Sequence, residues 1–384
     1  MLMKSRQWHV SSAGDVAPLL SALACEGPDL VLVFGAIEHF APGGWLNDPA
    51  IAAAHPPWVG CSSAGEILGP SVQDHSVVVT ALKFAHADSR VCAVSTRLSS
   101  MADSLNAGQR LAQALPHDGL RAVLLFGTGV AINGSALVLG LQQGVADEVQ
   151  ISGGLAADGG AFRQTWTLSR TGVFDDQVVA IGLYGSRLFL ANSSCGGWEP
   201  FGPLRRVTSC HGNVLYALDH ERALDIYQRY LGDYARDLPG SGLLFPCEMI
   251  GADRSRGGVI RTLLACDGAD GSLTFAGDIE PDGYLRLMHA STERLIEGAE
   301  QAARMLAPTP AAADPPLALL VSCVGRRLVM GDRVEEELEA VLDILGAGVM
   351  CAGFYSNGEI SEAGAGARSR LYNQTMTITL IGEH

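Results

Sequence analysis

None of the nine cysteines stands in a Cys-x-x-Cys pair, and none of the ten histidines belongs to a His-x-x-x-His or His-Glu-x-x-His pattern. A zinc ribbon, a thioredoxin motif, covalent c-type haem attachment and a buried metal cage are therefore disfavoured. Basic residues are scarce, 26 against 41 acidic ones, and the net charge of −15 repels nucleic-acid backbones and anionic lipid. No window approaches about 18 uninterrupted apolar residues, and the start Met1-Leu2-Met3-Lys4 has no signal-peptide core. These absences predict a soluble, cytoplasmic protein whose thiols are reduced and buried like small hydrophobes.

What is present is a core-forming composition, 48% hydrophobic with 46 glycines, on a chain of 384 residues. Such a length suits two or three domains, or a pseudo-repeated pair. A helix, a short apolar strand, a second helix and a strand ending in a glycine-rich turn recur three times. The apolar strands are Leu30–Gly35, Ala122–Gly127 and Leu317–Cys323. The second helices are predicted near residues 46–54, 135–144 and 333–345. A β-rich segment with a helix over Glu221–Leu231 lies between the second and third copies, and strand 187–192 is assigned to that segment. The run 307–316, with four prolines, reads as an exposed connector. The fold class is mixed α/β: mixed sheets flanked by helices, in two related halves carrying an internal αβαββ repeat.

Two of the turns are near copies: Gly60-Cys-Ser-Ser-Ala-Gly-Glu-Ile67 and Gly353-Phe-Tyr-Ser-Asn-Gly-Glu-Ile360. Glycine permits close backbone approach, so each strand can end in a tight loop that offers N–H groups beside a carboxylate, Glu66 or Glu359. That arrangement suits a small polar ligand with an amine or hydroxyl; the structural alternative is that each Glu caps neighbouring backbone. Candidate ligand-binding residues are Cys61, Ser62, Ser63, Glu66, Tyr355, Asn357, Glu359, Tyr372 and Asn373. Cys61 or Ser62 and Ser63 could instead serve a hydrolase, but the glycine spacing is too long for a nucleophile elbow and no histidine partner is evident. Trp198 and Tyr355 are the aromatics that would line a cavity, with core packing as the competing reading. Arg326 and Arg327 either clamp a ligand carboxylate or sit solvated at a helix start. The acidic run Glu335–Glu339 reads as a solvated helix face.

Those two turns, with Gly153-Gly-Leu-Ala-Ala-Asp158, Gly197-Trp-Glu-Pro-Phe-Gly202, Ser322-Cys-Val-Gly-Arg-Arg327 and Asn373-Gln-Thr-Met-Thr-Ile-Thr379, resemble the FIST proteins. The resemblance implies a FIST N-like domain over 1–205 and a FIST C-like domain over 206–384. It implies a sensor that binds a small, amino-acid-like ligand, is not an enzyme, and signals to a histidine kinase, diguanylate cyclase or phosphodiesterase; a homo-oligomer is compatible with this. A stand-alone subset of similar length binds haem and senses nitric oxide, so haem b is an alternative cofactor, with His289 and Tyr372 as candidate axial ligands. Many members carry Leu-His before Asn-Gln-Thr, whereas this chain has Leu371-Tyr372, which removes one imidazole.

Overall fold

The computed structural model describes residues 3–52, 56, 58–253, 258–306, 315–346, 348–362 and 368–384. Most of the proline-rich connector, 307–314, lies outside them. Three units of like build are evident. Each has a leading strand, a parallel strand pair, a hairpin and a closing strand. In the first unit these are Lys4–Val10, the pair Leu30–Gly35 and Trp58–Ser62, the hairpin Glu66–Leu68 with Ser71–Gln73, and Val77–Lys83. In the second they are Arg90–Arg97, the pair Leu120–Gly127 and Gln150–Leu155, the hairpin Thr167–Ser169 with Gly172–Phe174, and Gln177–Tyr184. In the third they are Leu188–Cys195, the pair Leu317–Cys323 and Met350–Ser356, the hairpin Gly358–Glu362 with Ser369–Tyr372, and Met376–Glu383.

No unit keeps its hairpin. The hairpin of the first unit extends the sheet of the third, that of the second extends the sheet of the first, and that of the third extends the sheet of the second. Each six-stranded sheet is thus completed by a neighbour, in a closed cycle of three.

The parallel strands are largely apolar because both of their faces are buried. In Leu30–Phe34, Val31 and Val33 face outward under the helix Val16–Glu26, while Leu30, Leu32 and Phe34 face a core shared by all three sheets. Phe34, Phe126 and Phe354 meet there, Phe34 stacked on Phe354 at 4.5 Å between ring centroids and edge-on to Phe126 at 5.5 Å. Outside, Ser104–Ala114 and Gly134–Gln142 cover the second sheet, and Thr292–Leu306 and Glu335–Leu345 cover the third.

Three expectations need correcting. Strand 187–192 belongs to the third unit, as its leading strand Leu188–Cys195, because it pairs along its whole length with Met376–Glu383. The β-rich segment therefore interrupts that unit as an insertion, Glu199–His289. It forms an eight-stranded sheet with its own core around the helix Ala223–Leu231. The helix predicted near 46–54 is reduced, in the described residues, to a single 3-10 turn Trp45–Asn47 and a four-residue helix Pro49–Ala52. Pro49 allows a helix to begin there but not to run through it. The third unit's second helix begins at Glu335, after a 3-10 turn over Gly331–Arg333.

Within each unit the parallel strands approach closely at equivalent glycines. Gly60, Gly153 and Gly353 each lie opposite a residue of the parallel partner strand, namely Val33, Leu125 and Leu320. A Cβ at any of the three would collide with the carbonyl oxygen of that residue, and Gly153 and Gly353 also hold φ of 136° and 152°. Gly153→Ala and Gly353→Ala should each lower the free energy of unfolding by about 3 kcal/mol, since the clash is with backbone that cannot rotate away. Urea denaturation of each variant against a surface Ala control checks this.

Candidate functional site

Immediately after these glycines the chain crosses from one sheet to the next, and the three crossovers interlock. The amide of Ala64 donates to Tyr355 O (2.9 Å), that of Ala157 to Ser62 O (2.9 Å), and that of Asn357 to Leu155 O (3.2 Å). The two look-alike turns are consequently neighbours, with Glu66 opposite Phe354 in the ladder and Tyr355 N donating back to Gly65 O.

Glu66 and Glu359 are held alike. The Ser three residues before each, Ser63 or Ser356, donates to one carboxylate oxygen. A hydroxyl just before the closing strand serves the other: Ser76 Oγ at 2.9 Å for Glu66, and Thr375 Oγ1 at 2.9 Å with Thr375 N at 3.0 Å for Glu359. Both are buried, at 1% and 0% exposure. Burial pushes each carboxyl up to about 7, against the lowering effect of those hydrogen bonds.

The remaining sequence-derived candidates divide by what they touch. Cys61 is buried in the central core, where burial raises its thiol far above the ordinary value. Ser62 Oγ donates to Ala157 O (2.8 Å) and accepts from Trp166 N (3.0 Å). Asn357 and Asn373 lie beside the crossover, each with a buried Oδ1 that has no partner. Tyr372 pairs across the hairpin with Glu359, and burial raises its phenol. His289 packs edge-on against Phe201 at 5.8 Å, on the inserted sheet. Tyr372 and His289 stand on different sheets, Tyr372 on the exchanged hairpin and His289 on the insertion.

Trp198 and Tyr355 are core residues, not cavity walls: Trp198 Nε1 donates to Gln374 O (2.8 Å) and Tyr355 Oη to Glu337 Oε1 (2.7 Å). Two electrostatic expectations are also overturned. Glu337, read as part of a solvated face, has no exposed surface, and neither has Arg326. They pair at 2.6 Å, with Ser322 Oγ completing the carboxylate and Leu295 O and Gly196 O completing the guanidinium. The heptad-like spacing that turns Leu338 and Val341 inward turns Glu337 inward with them, and only a buried cation makes that tolerable. Arg327 is half-buried, clamped on Asp74 and on Ala64 O.

Sequence reading missed a cavity of about 670 Å³ at a three-way seam. Val138 and Leu139 come to it from the helix Gly134–Gln142, Met249, Val259 and Ile279 from the insertion, and Leu371 from the exchanged hairpin. No short motif marks it, because its walls come from three separate segments. Among the described residues no group of acidic, His and Cys side chains is arranged to hold a metal ion.

The buried carboxyls give a testable pH dependence. In the unfolded chain Glu66 and Glu359 ionise near 4.5, whereas the folded protein keeps their protons up to about 7. Stability from these groups is therefore complete below about pH 4.5 and is lost as pH rises towards 7, by about 3 kcal/mol for each. Urea unfolding at intervals between pH 5 and pH 8 should show a decline, and Glu66→Gln should remove one of its two components.

Comparison with known families divides the chain differently, at a boundary inside the insertion. The FIST N domain matches residues 29–221 and the FIST C domain residues 223–362. No curated protein matches the sequence. Among solved structures, the chain is similar to the crystal structure of a cyanuric acid hydrolase from A. caulinodans. The identity is 8% and the TM-score 0.39, over 100% of this chain and 99% of that one. FIST domains are small-ligand-sensing domains of signalling proteins. With both domains present in order across nearly its whole length, the chain belongs to the FIST family.

Proposed function

We propose that this protein is a sensor whose small ligand enters the seam cavity and whose response passes to a separate signalling protein, a histidine kinase or a cyclic-di-GMP enzyme. The observation that carries the reading is the cavity's construction: its walls belong to the insertion, to a helix of the second unit and to the hairpin of the third. A ligand filling such a space ties three bodies together, so it favours whichever arrangement of them it touches best. The hairpin gives the change a route. Its second strand supplies Ser369, Arg370 and Leu371 to the cavity, and its first strand carries Glu359 at the interlocked crossovers. The partner reading draws its support from the place of FIST domains in signalling proteins.

A second ligand position is favoured by Asn357 Oδ1 and Asn373 Oδ1, two buried acceptors without donors in the neighbourhood of Glu359. An amine or hydroxyl would satisfy them, as would ordered water.

Hydrogen exchange separates the two positions. For a compound that raises the melting temperature in a panel of amino acids, organic acids and haem, the seam reading expects slower exchange in Gly134–Gln142, Val259–Arg261 and Ser369–Tyr372 together, with Lys4–Val10 unchanged. Protection confined to residues 355–359 and 372–375 would transfer the site to the crossovers, and protection in neither region would end the sensor reading.

A further inference from the structure

The seam cavity holds a buried cation, Arg261, that has no ion-pair partner among the described residues, although the Asp278 carboxylate is near enough to act on it electrostatically. Arg261, on the inserted strand Val259–Arg261, is 9% exposed. Its guanidinium reaches only backbone carbonyls, all at long range: Asp278 O at 3.3 Å from Nε, and Leu371 O at 3.3 Å and Ile260 O at 3.5 Å from Nη1. Ordinary N–H···O bonds centre near 2.9 to 3.0 Å. Elsewhere the chain does not treat a buried guanidinium this way. Arg326 has a carboxylate at 2.6 Å and two carbonyls besides, whereas no carboxylate of the described residues lies within ion-pair distance of Arg261. Burial pushes the Arg261 guanidinium down to about 10, the expected response of a cation short of compensation.

A second group points to the same spot. Ser135 Oγ, in the first turn of the helix Gly134–Gln142, is buried with no hydrogen-bond partner. Both groups flank Gly277: a Cβ placed there would lie 2.9 Å from Arg261 Cζ and 3.1 Å from Ser135 Oγ. The lack of a side chain at 277 thus lets Arg261 and Ser135 Oγ pack close to one another on the same stretch of backbone. Both residues line the 670 Å³ cavity. The first turn of a helix adds its own partial positive charge.

Carboxylates are not absent from the cavity, but they are placed elsewhere or engaged. Asp278 gives its Oδ1 to Asn133 Nδ2 (2.9 Å), and Asp253 and Glu280 stand at the wall formed with Gly251. Arg368 pairs outward with Asp147, and Arg370 is exposed. With acidic and basic walls so nearly matched, one negative charge fits the site better than two, which favours a carboxylate over a phosphate dianion. The apolar part of the wall, Val138, Met249, Val259, Ile279 and Leu371, suits a hydrocarbon portion of the ligand.

Resting on the reading of the seam as the ligand cavity, we propose that the site takes a small monocarboxylate with an apolar tail, its carboxylate between Arg261 and Ser135 Oγ. The pairing supplies an ion-pair partner through charge-assisted hydrogen bonds, and the tail leaves water for the apolar wall.

The test uses isovalerate and its neutral isostere isovaleramide, with chloride and inorganic phosphate at matched ionic strength, on the full chain. Isovalerate should raise the melting temperature by about 3 °C or more at saturation, and the amide, chloride and phosphate should not. Ser135→Ala should weaken the isovalerate response about tenfold in concentration, the loss of one hydrogen bond to a charged group. Arg261→Met should abolish the response while the ligand-free melting temperature holds or rises, because a cation compensated only in part has been removed. Equal responses to acid and amide, with exchange protection still at the seam, would overturn the carboxylate assignment and leave the cavity reading standing. An isovalerate response that survives Arg261→Met would overturn it too. No response to any compound in the wild type, with exchange at the seam unchanged, would take both readings down.

Discussion

Everything in this fold depends on how closely the strands of each parallel pair approach one another at Gly60, Gly153 and Gly353. At these points the facing carbonyl occupies the place where a side chain would begin. The approach brings each chain to the centre at a depth from which it can leave only by crossing into the adjacent sheet. The three crossings then satisfy one another's backbone: Ala64 with Tyr355, Ala157 with Ser62, and Asn357 with Leu155. Buried amides must be paired, and here each unit's amide is paired by the next. A hairpin that has crossed in this way cannot return to its own sheet without breaking the ring, so the cyclic exchange of hairpins follows from three glycines and three hydrogen bonds.

That centre is lined by aromatic rings and aliphatic chains, yet polar groups sit close around it. The cost of burying them is met in different ways. Arg326 and Glu337 neutralise one another and have their remaining hydrogen-bonding positions filled by Ser322, Tyr355 and backbone carbonyls. Glu66 and Glu359 form no ion pair among the described residues; they are held by hydroxyls, and burial outweighs the nearby Arg327 and Arg326 charges so that they stay protonated towards neutral pH. Protonation is open to a carboxyl with a displaced pKa near 7. It is not open to Arg261, which stays charged across the physiological range even when lowered to about 10. Asp278 and three backbone carbonyls compensate that group only in part, and the proposed ligand would supply the rest.

Much of this was legible in the sequence, for reasons that also explain what was not. The threefold repeat and the apolar strands Leu30–Gly35, Ala122–Gly127 and Leu317–Cys323 declare themselves because two buried faces leave few polar positions in a strand. The near identity of the Gly60 and Gly353 turns marked residues that the structure does bring side by side. Leu188–Cys195 was assigned to the wrong neighbour because its partner, Met376–Glu383, lies at the far end of the chain and no local pattern records a pairing. Glu337 and Arg326 looked solvated because charge is read from sequence as exposure, and their mutual burial exists only once the helix is docked. The seam was invisible for a related reason. Arg261, Ser135 and Gly277 have ordinary local contexts, and only the insertion's position against the second unit's helix makes them a site.

The exchange of hairpins also bears on how a ligand could be felt at a distance. The hairpin Gly358–Tyr372 is covalently part of the third unit, hydrogen-bonded into the sheet of the second, and in touch with the insertion through Leu371 O and Arg261. Its two strands pair residue by residue, with Tyr372 opposite Glu359 and Leu371 opposite Ile360. Within such a ladder one strand does not shift alone, since a slip of one residue would turn every side chain to the opposite face. The proposed ligand, were it to draw Arg261 away from Leu371 O, would bear on Glu359 through this ladder, and Glu359 is bonded to Thr375 just before the closing strand. That strand, Met376–Glu383, pairs with the leading strand Leu188–Cys195, from which the insertion departs. The insertion is thus connected to the body of the protein at the edges of two sheets, Ser369–Tyr372 in one and Leu188–Cys195 in the other. Displacement at the seam returns to the root of the same insertion by way of the interlocked centre, which is the kind of closed mechanical path along which two packing arrangements can be told apart.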